Sequence, residues 1–359
     1  MDYYSNDIYK NKYGFNNIDD DYYYPSKSER TKGVIGLKNI NNYLCFMNSS
    51  LQCLSHIKPL FDKFFEIKQL KSLGLSFFEL LVKMYDDSED KYFIPKNILN
   101  QISSYYKEYL DIKQQGANEF ISRFLTTIND EIKSPIHPIK IFEIPQEPLK
   151  EKFLKKYEFY KKNRSFITDL FYGNVVYLTK CPNCNNIINA IFSIFNILEL
   201  SIYPLRDKGK ISLEQLIESY SSEQFIDYNT FCIQCKNQVR PIAKTDIVHS
   251  SDILIIYINK VINNKLWNIN INFPYDLYIT NYSSSDKFKK KICYNLIGFI
   301  EHFGTESFGH YIAKCKNFVD GKWYKFDDLS VEKINIPEKY DKTSDSDSVI
   351  ILFYQKSNI

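Results

Sequence analysis

The chain has 359 residues, of which 44% are hydrophobic and 25% charged, so it can bury a sizeable core and sits in the ordinary globular range. Its 46 basic and 43 acidic residues are well mixed and leave a net charge of +3, which argues against a nucleic-acid partner, since no basic arm or dense Lys/Arg stripe is present. The longest apolar run, Ile253–Ile258, is far short of the roughly 18 residues that span a bilayer, so no membrane partner is expected.

Residues 1–30 are rich in Tyr, Asn and Asp without an apolar period, and read as a flexible N-terminal extension. The opening MDYYSNDIYKNKYGF also lacks the apolar core of a signal peptide. With eight cysteines and no secretion signal, the expected setting is a reducing, intracellular one, cytoplasmic or nuclear, where thiols serve catalysis or metal binding. From Cys45 to Leu54 the pattern suits a short helix that stops before Pro59. Residues 66–128 carry apolar positions at helical spacing (Phe77, Leu80, Leu81 and Met84 among them), which predicts a helical subdomain. Four prolines mark 134–150 as a loop or irregular strand, and a basic helix is expected from Pro148 through Lys162. Thereafter short β-branched and aromatic runs alternate with polar turns, which predicts a sheet. Helices first and strands after make an α+β chain.

Three distant segments hold the chemistry. Cys45 is followed by Phe46-Met47-Asn48-Ser49-Ser50-Leu51-Gln52; Gly309-His310-Tyr311 lies far downstream, and Trp323-Tyr324-Lys325-Phe326-Asp327-Asp328 follows it. A thiolate attacks a carbonyl, an imidazole carries the proton and a carboxylate orients the imidazole. A free thiol near pKa ~8.5 needs activation, which a helix start and a neighbouring imidazolium both supply. Asp327 would accept from the second ring nitrogen of His310 and fix its tautomer. Cys53, Cys293 and Cys315 read as core or strand residues, and His56, His137 and His249 as surface or packing residues. Cys181-Pro182-Asn183-Cys184 and Cys232-Ile233-Gln234-Cys235 form two CxxC pairs, suited to a closed tetrahedral site for structural Zn²⁺. Paired disulfides or redox chemistry are the competing readings of those four thiols.

The flanks of these residues resemble the ubiquitin-specific protease family of deubiquitinases. Residues 36–52 read GLKNINNYLCFMNSSLQ, 294–311 read YNLIGFIEHFGTESFGHY, 323–328 read WYKFDD and 350–354 read IILFY, in the family's order from about Gly33 to about Lys356. The resemblance implies a papain-like cysteine protease fold with thumb, palm and zinc-ribbon fingers. It implies a catalytic domain over 31–357, with fingers over about 172–250. It implies a monomer that hydrolyses the isopeptide or peptide bond after the C-terminal Gly of ubiquitin, through an acyl-thioester on Cys45. His310 and Asp327 complete that machinery. Glu119, His302 and Tyr311 become candidates for substrate contacts.

The chain departs from the family pattern in three places. One residue is inserted before the nucleophile, so Asn39, the family's oxyanion-hole residue, stands six positions ahead of Cys45, and Asn41 replaces a glycine. An extra residue can move a side chain by up to about 3.5 Å, whereas an oxyanion donor must sit about 2.7–3.1 Å from the charge. Asn39, Asn41 and Asn42 are therefore all candidates, with Asp328 as a residue that shapes the region. Gly116 in Gln114-Gln115-Gly116-Ala117-Asn118-Glu119-Phe120 replaces an Asp that in the family contacts ubiquitin's tail, and Lys260-Val261 stands where Arg-Phe is usual. These departures keep two further readings open: a ubiquitin-binding module without catalysis, and the same chemistry on another ubiquitin-like modifier.

Overall fold

A computed structural model describes residues 31–357 apart from 88–89, 112, 135–149, 151–153, 155–157, 159–161, 281–290, 306–307 and 336–342. The extension 1–30, His137 and most of the basic helix expected through Lys162 lie outside the described residues.

The first half is helical: α1 (Cys45–Ser55), α2 (Lys58–Glu66), α3 (Ser72–Tyr85), α4 (Lys96–Tyr105) and α5 (Ala117–Ile132). Pro59 does not end α1 from outside but opens α2, where a missing N–H costs nothing in the first turn. The expected helical run over 66–128 breaks at 67–71, at 86–95, which holds Pro95, and at 106–116, which ends on Gly116. Within it the stripe Phe77, Leu80, Leu81 and Met84 is buried as its period requires. Phe77 lies edge-on to Phe64 and Phe124, with ring centroids 5.1 and 5.2 Å away. A short helix α6 (Phe166–Phe171) follows, opened by a capping box between Ser165 and Thr168.

Every residue of α1 is buried. Its apolar members Phe46, Met47, Leu51 and Leu54 each contribute about 1.5–3 kcal/mol by leaving water. Several of its polar members are bonded: the Ser50 hydroxyl donates to the Phe46 carbonyl at 2.6 Å, and the Gln52 amide to the Ile35 carbonyl at 2.8 Å. Such a helix cannot shift without stranding buried polar groups.

The second half supplies strands β1 (Gly173–Lys180), β2 (Ile187–Phe195), β3 (Leu198–Ser201), helix α7 (Leu213–Tyr220), β4 (Thr230–Cys232), β5 (Asn237–Val239), β6 (Ile242–His249), β7 (Ile253–Asn259) and β8 (Asp276–Thr280). β9 (Lys291–Gly304), β10 (Gly309–Lys316), β11 (Trp323–Asp327), β12 (Ser330–Ile334) and β13 (Val349–Lys356) follow. The central sheet runs β12-β11-β10-β9-β13-β7-β3, with β8 also on β9. All of its pairings are antiparallel except β7 with β3. Both of its faces are buried, and alternate residues go to opposite sides. Ile253, Ile255, Ile351, Phe353 and Phe326 face the helices, whereas Leu254, Ile256, Leu352, Tyr354 and Trp323 join the core on the far side. α1 packs on β10. There Cys53 meets Cys315 with sulfurs 3.6 Å apart, both buried as free thiols. β2-β1-β6 make a second, outlying sheet, and β4 with β5 a hairpin beyond it.

Candidate active site and metal centre

Cys45 is the first residue of α1 and is 1% exposed. Burial pushes its thiol up, and the backbone N–H of Tyr311 pulls it down. The Asp328 charge pushes it up again, the helix-start N–H groups of Phe46 and Cys45 pull it down, and the net position is above the ordinary value. The helix start lowers the thiol as expected, but burial outweighs it, and the resting thiol is protonated at neutral pH. A base must take its proton.

His310 lies near the start of β10, and its Nε2 sits 2.6 Å from Oδ1 of Asp327 at the end of β11. That bond fixes Nε2 as the protonated nitrogen and leaves Nδ1 as the basic one. Cys45 and His310 are not hydrogen-bonded to each other here. Resting catalytic pairs commonly tighten only when substrate binds.

The insertion before Cys45 is taken up in a 3₁₀ turn, Ile40–Asn42. The left-handed residue is Asn42 at φ 61°, not Asn41, which took the glycine's place in the aligned sequence. Asparagine tolerates that conformation. The turn is closed by Asn39, whose Oδ1 accepts the Leu44 N–H at 2.9 Å while its Nδ2 donates to Asp328 Oδ2 at 2.9 Å. One Nδ2 proton of Asn39 is left over. Asp328, itself left-handed at φ 51°, also accepts from Asn48 Nδ2 at 2.7 Å, and its carbonyl accepts the Leu37 N–H at 2.9 Å. An ionised carboxylate cannot donate to an oxyanion, so Asp328 shapes the loop by what it accepts. Asn48, one turn into α1, ties that carboxylate to the nucleophile's helix; the quoted cysteine segment contains it, yet its role needs a partner far off in sequence.

Of the candidates for substrate contact, His302 and Tyr311 adjoin His310. Glu119 is exposed and ion-paired with Arg123 Nη2 at 2.6 Å. At Gly116 a side chain would run into Asn118 Oδ1, 2.7 Å from where its Cβ would stand. His302 lies against the Tyr311 ring, centroids 4.3 Å apart, and burial together with the His310 charge lowers its pKa. Gln114, passed over by sequence reasoning in favour of its neighbours, bonds both backbone groups of Gly309, the residue before His310.

At the end of the outlying sheet, Cys181 and Cys184 occupy the β1–β2 turn, while Cys232 ends β4 and Cys235 lies in the β4–β5 turn. In each, the residue after the second cysteine is left-handed, Asn185 at φ 57° and Lys236 at φ 50°, so both turns fold their sulfurs inward alike. The four sulfurs lie within 4.8 Å of one another, with Cys181–Cys235 at 3.7 Å and Cys184–Cys232 at 3.6 Å. A tetrahedral ion with metal–sulfur bonds of about 2.3 Å needs edges of about 3.8 Å, so the set fits a metal ion. The four thiols share their protons: against the upward push of burial, the N–H groups of Asn183 and Cys184 bring the Cys181 thiol down to about 7, while the neighbouring sulfurs push Cys235 up to about 12 and Cys184 also stands above its ordinary value.

Among the described residues no helix is long and apolar enough to cross a membrane. The family model for ubiquitin carboxyl-terminal hydrolase matches residues 35–354. Ubiquitin carboxyl-terminal hydrolase 2 of Rattus norvegicus is 27% identical over 353 residues, covering 91% of this chain and 55% of that protein. Ubiquitin carboxyl-terminal hydrolase Usp2 of Drosophila melanogaster is 28% identical, covering 95% of this chain and 37% of that protein. The chain thus spans about half or less of the length of these relatives. Among solved structures, a SAGA DUB module of Ubp8, Sgf11, Sus1 and Sgf73 bound to monoubiquitin superposes with a TM-score of 0.72 at 24% identity, covering 93% of this chain and 71% of that one. The fold is accordingly the α+β thumb, palm and fingers arrangement of these cysteine protease domains.

Proposed function

The chain belongs to the ubiquitin carboxyl-terminal hydrolase family, and on that premise we propose that residues 31–357 form a thiol-dependent deubiquitinase domain cleaving after the C-terminal Gly of ubiquitin. The observation that carries this reading is the His310–Asp327 pair at 2.6 Å, standing on the strand whose Tyr311 N–H points at the Cys45 sulfur.

The reaction follows from these groups. Cys45 Sγ attacks the carbonyl carbon while His310 Nδ1 takes the thiol proton. The Cys45 N–H and the remaining Nδ2 proton of Asn39 face the oxyanion, with Asn42 and the backbone of Asn41 next in line. The intermediate collapses as His310 returns its proton to the leaving amine, and an acyl-thioester remains. Water then attacks that carbonyl with His310 as base, releasing the ubiquitin carboxylate and the thiol. Asp327 holds the ring throughout and stabilises the imidazolium. Glu119, His302 and Tyr311 line the approach of the substrate tail. The four fingertip cysteines hold one structural Zn²⁺, which when bound fixes the two turns to each other and takes no part in the reaction. The enzyme acts as a monomer on ubiquitin or ubiquitinated proteins inside the cell.

The test is to incubate the protein with ubiquitin bearing a C-terminal thiol-reactive electrophile and read the intact mass, with Cys45→Ala alongside. A one-to-one adduct absent from the variant supports the reading. Binding without adduct would leave a ubiquitin-binding module, and neither binding nor adduct would point to another modifier.

A further inference from the structure

The strand that carries His310 is supported unevenly. β10 pairs with β9 from Gly309 to Cys315, but with β11 only from Ala313 onward. Among the described residues, therefore, no strand pairs with 309–312 on their second edge. They also adjoin a hairpin end whose Phe308 is 77% exposed. A strand end held by a neighbouring strand on one edge only frays readily.

Gln114, in the loop before α5, occupies that edge, and Ala117, the first residue of α5, reaches the neighbouring Tyr311 side chain. The Gln114 carboxamide closes both backbone groups of Gly309: its Oε1 accepts the Gly309 N–H at 2.7 Å, and its Nε2 donates to the Gly309 carbonyl. On the other side of His310, the Ala117 N–H faces the Tyr311 hydroxyl. Gly309 is confined on its face as well, because a Cβ there would overlap the His302 ring and stand 2.8 Å from the Phe303 carbonyl. The base is thus flanked by two residues anchored to the helical half, the half that carries Cys45.

We propose that Gln114 is a positioning residue for His310, fixing the end of β10 to the helical half so that the imidazole stays in register with the Cys45 thiol. The proposal rests on the reading of Cys45 and His310 as nucleophile and base. It assigns the effect to two hydrogen bonds rather than to bulk, since a side chain that only fills the space cannot hold both backbone groups of one residue.

Gln114→Met keeps the length and loses both bonds; Gln114→Glu keeps the acceptor and loses the donor. On a fluorogenic C-terminal amide of ubiquitin, Gln114→Met should lower kcat roughly 10- to 100-fold with KM within about threefold, and Gln114→Glu should fall between it and the wild type. Cys45 alkylation by iodoacetamide, followed across about pH 5 to 9, should shift in Gln114→Met from the wild-type profile toward that of His310→Ala. Its melting temperature should stay within about 2 °C of the wild type. An unchanged kcat, a loss confined to KM, or an alkylation profile superposing on the wild type would overturn the proposal. Should the wild type fail to process ubiquitin, the alkylation profiles still decide it, so the two readings fail separately.

Discussion

At the fingertip, four sulfurs are gathered by two hairpin turns, each of which places its pair within a few residues of chain. In the cleft, a single sulfur meets its partners only after α1, β10 and β11 have packed together, so its site exists only when the whole domain does. A metal centre of the first kind depends on local turn geometry and on an ion. A site of the second kind depends on register across a sheet and on the bonds that hold strand ends. The difference predicts that each can be damaged while the other stands.

The largest expected effect is on the cleft. Asp327→Asn should lower kcat by about 100- to 10,000-fold, because the amide favours the wrong tautomer of His310, while metal content stays at the wild-type level. An unchanged rate would pass the orienting role to Asp328. Next comes the fingertip: Cys181→Ser, or a chelator, should empty the metal site and open residues 181–239 to proteolysis, read by mass spectrometry. Iodoacetamide modification of Cys45 should stay within about twofold of the wild type. A matching loss at Cys45 would break the independence of the two regions, and a wild-type protein purified without metal would remove the zinc reading.

The smallest effect is graded with pH. His56 is buried at the end of α1 against the Phe326 ring, 4.9 Å between centroids, and burial holds its pKa at about 4. The unfolded chain protonates this residue near its ordinary value of about 6.5, so between those two pH values the unfolded state binds more protons. Stability therefore falls as acid is added through that window, by about 3 kcal/mol once both values are passed. His56→Leu should flatten this limb in urea titrations, and an unchanged acid limb would place the sensitivity elsewhere.

What could be read from the residues follows the same division. The CxxC pairs were legible because a knuckle is a local pattern, and Cys45, His310 and Asp327 because their neighbours carry long motifs. The strand at Ile253–Ile258 was legible because a β-branched run of that length has few other fates. The role of Pro59 was not, since a proline after one helix also suits the first turn of the next. Nor were the contacts that tune the cleft. Asn48 with Asp328, and Gln114 with Gly309, join an amide to a group some 200 to 280 residues away, and no periodicity announces such a pair. Lys260 is a similar case: it stands where Arg is usual, and its ammonium is buried and donates to the Asp347 and Ile269 carbonyls at 2.6 and 3.2 Å. Burial draws its pKa down to about 8.

The contact between Cys53 and Cys315 gives the molecule an internal clock. Both thiols are sealed between α1 and β10, so a reagent can reach them only when that seam parts. Their rate of labelling under native conditions then reports how often the domain opens, in the same sample and the same mass spectrum in which Cys45 reports how accessible the cleft is. One alkylation time course would yield both a stability and an accessibility, without added probes.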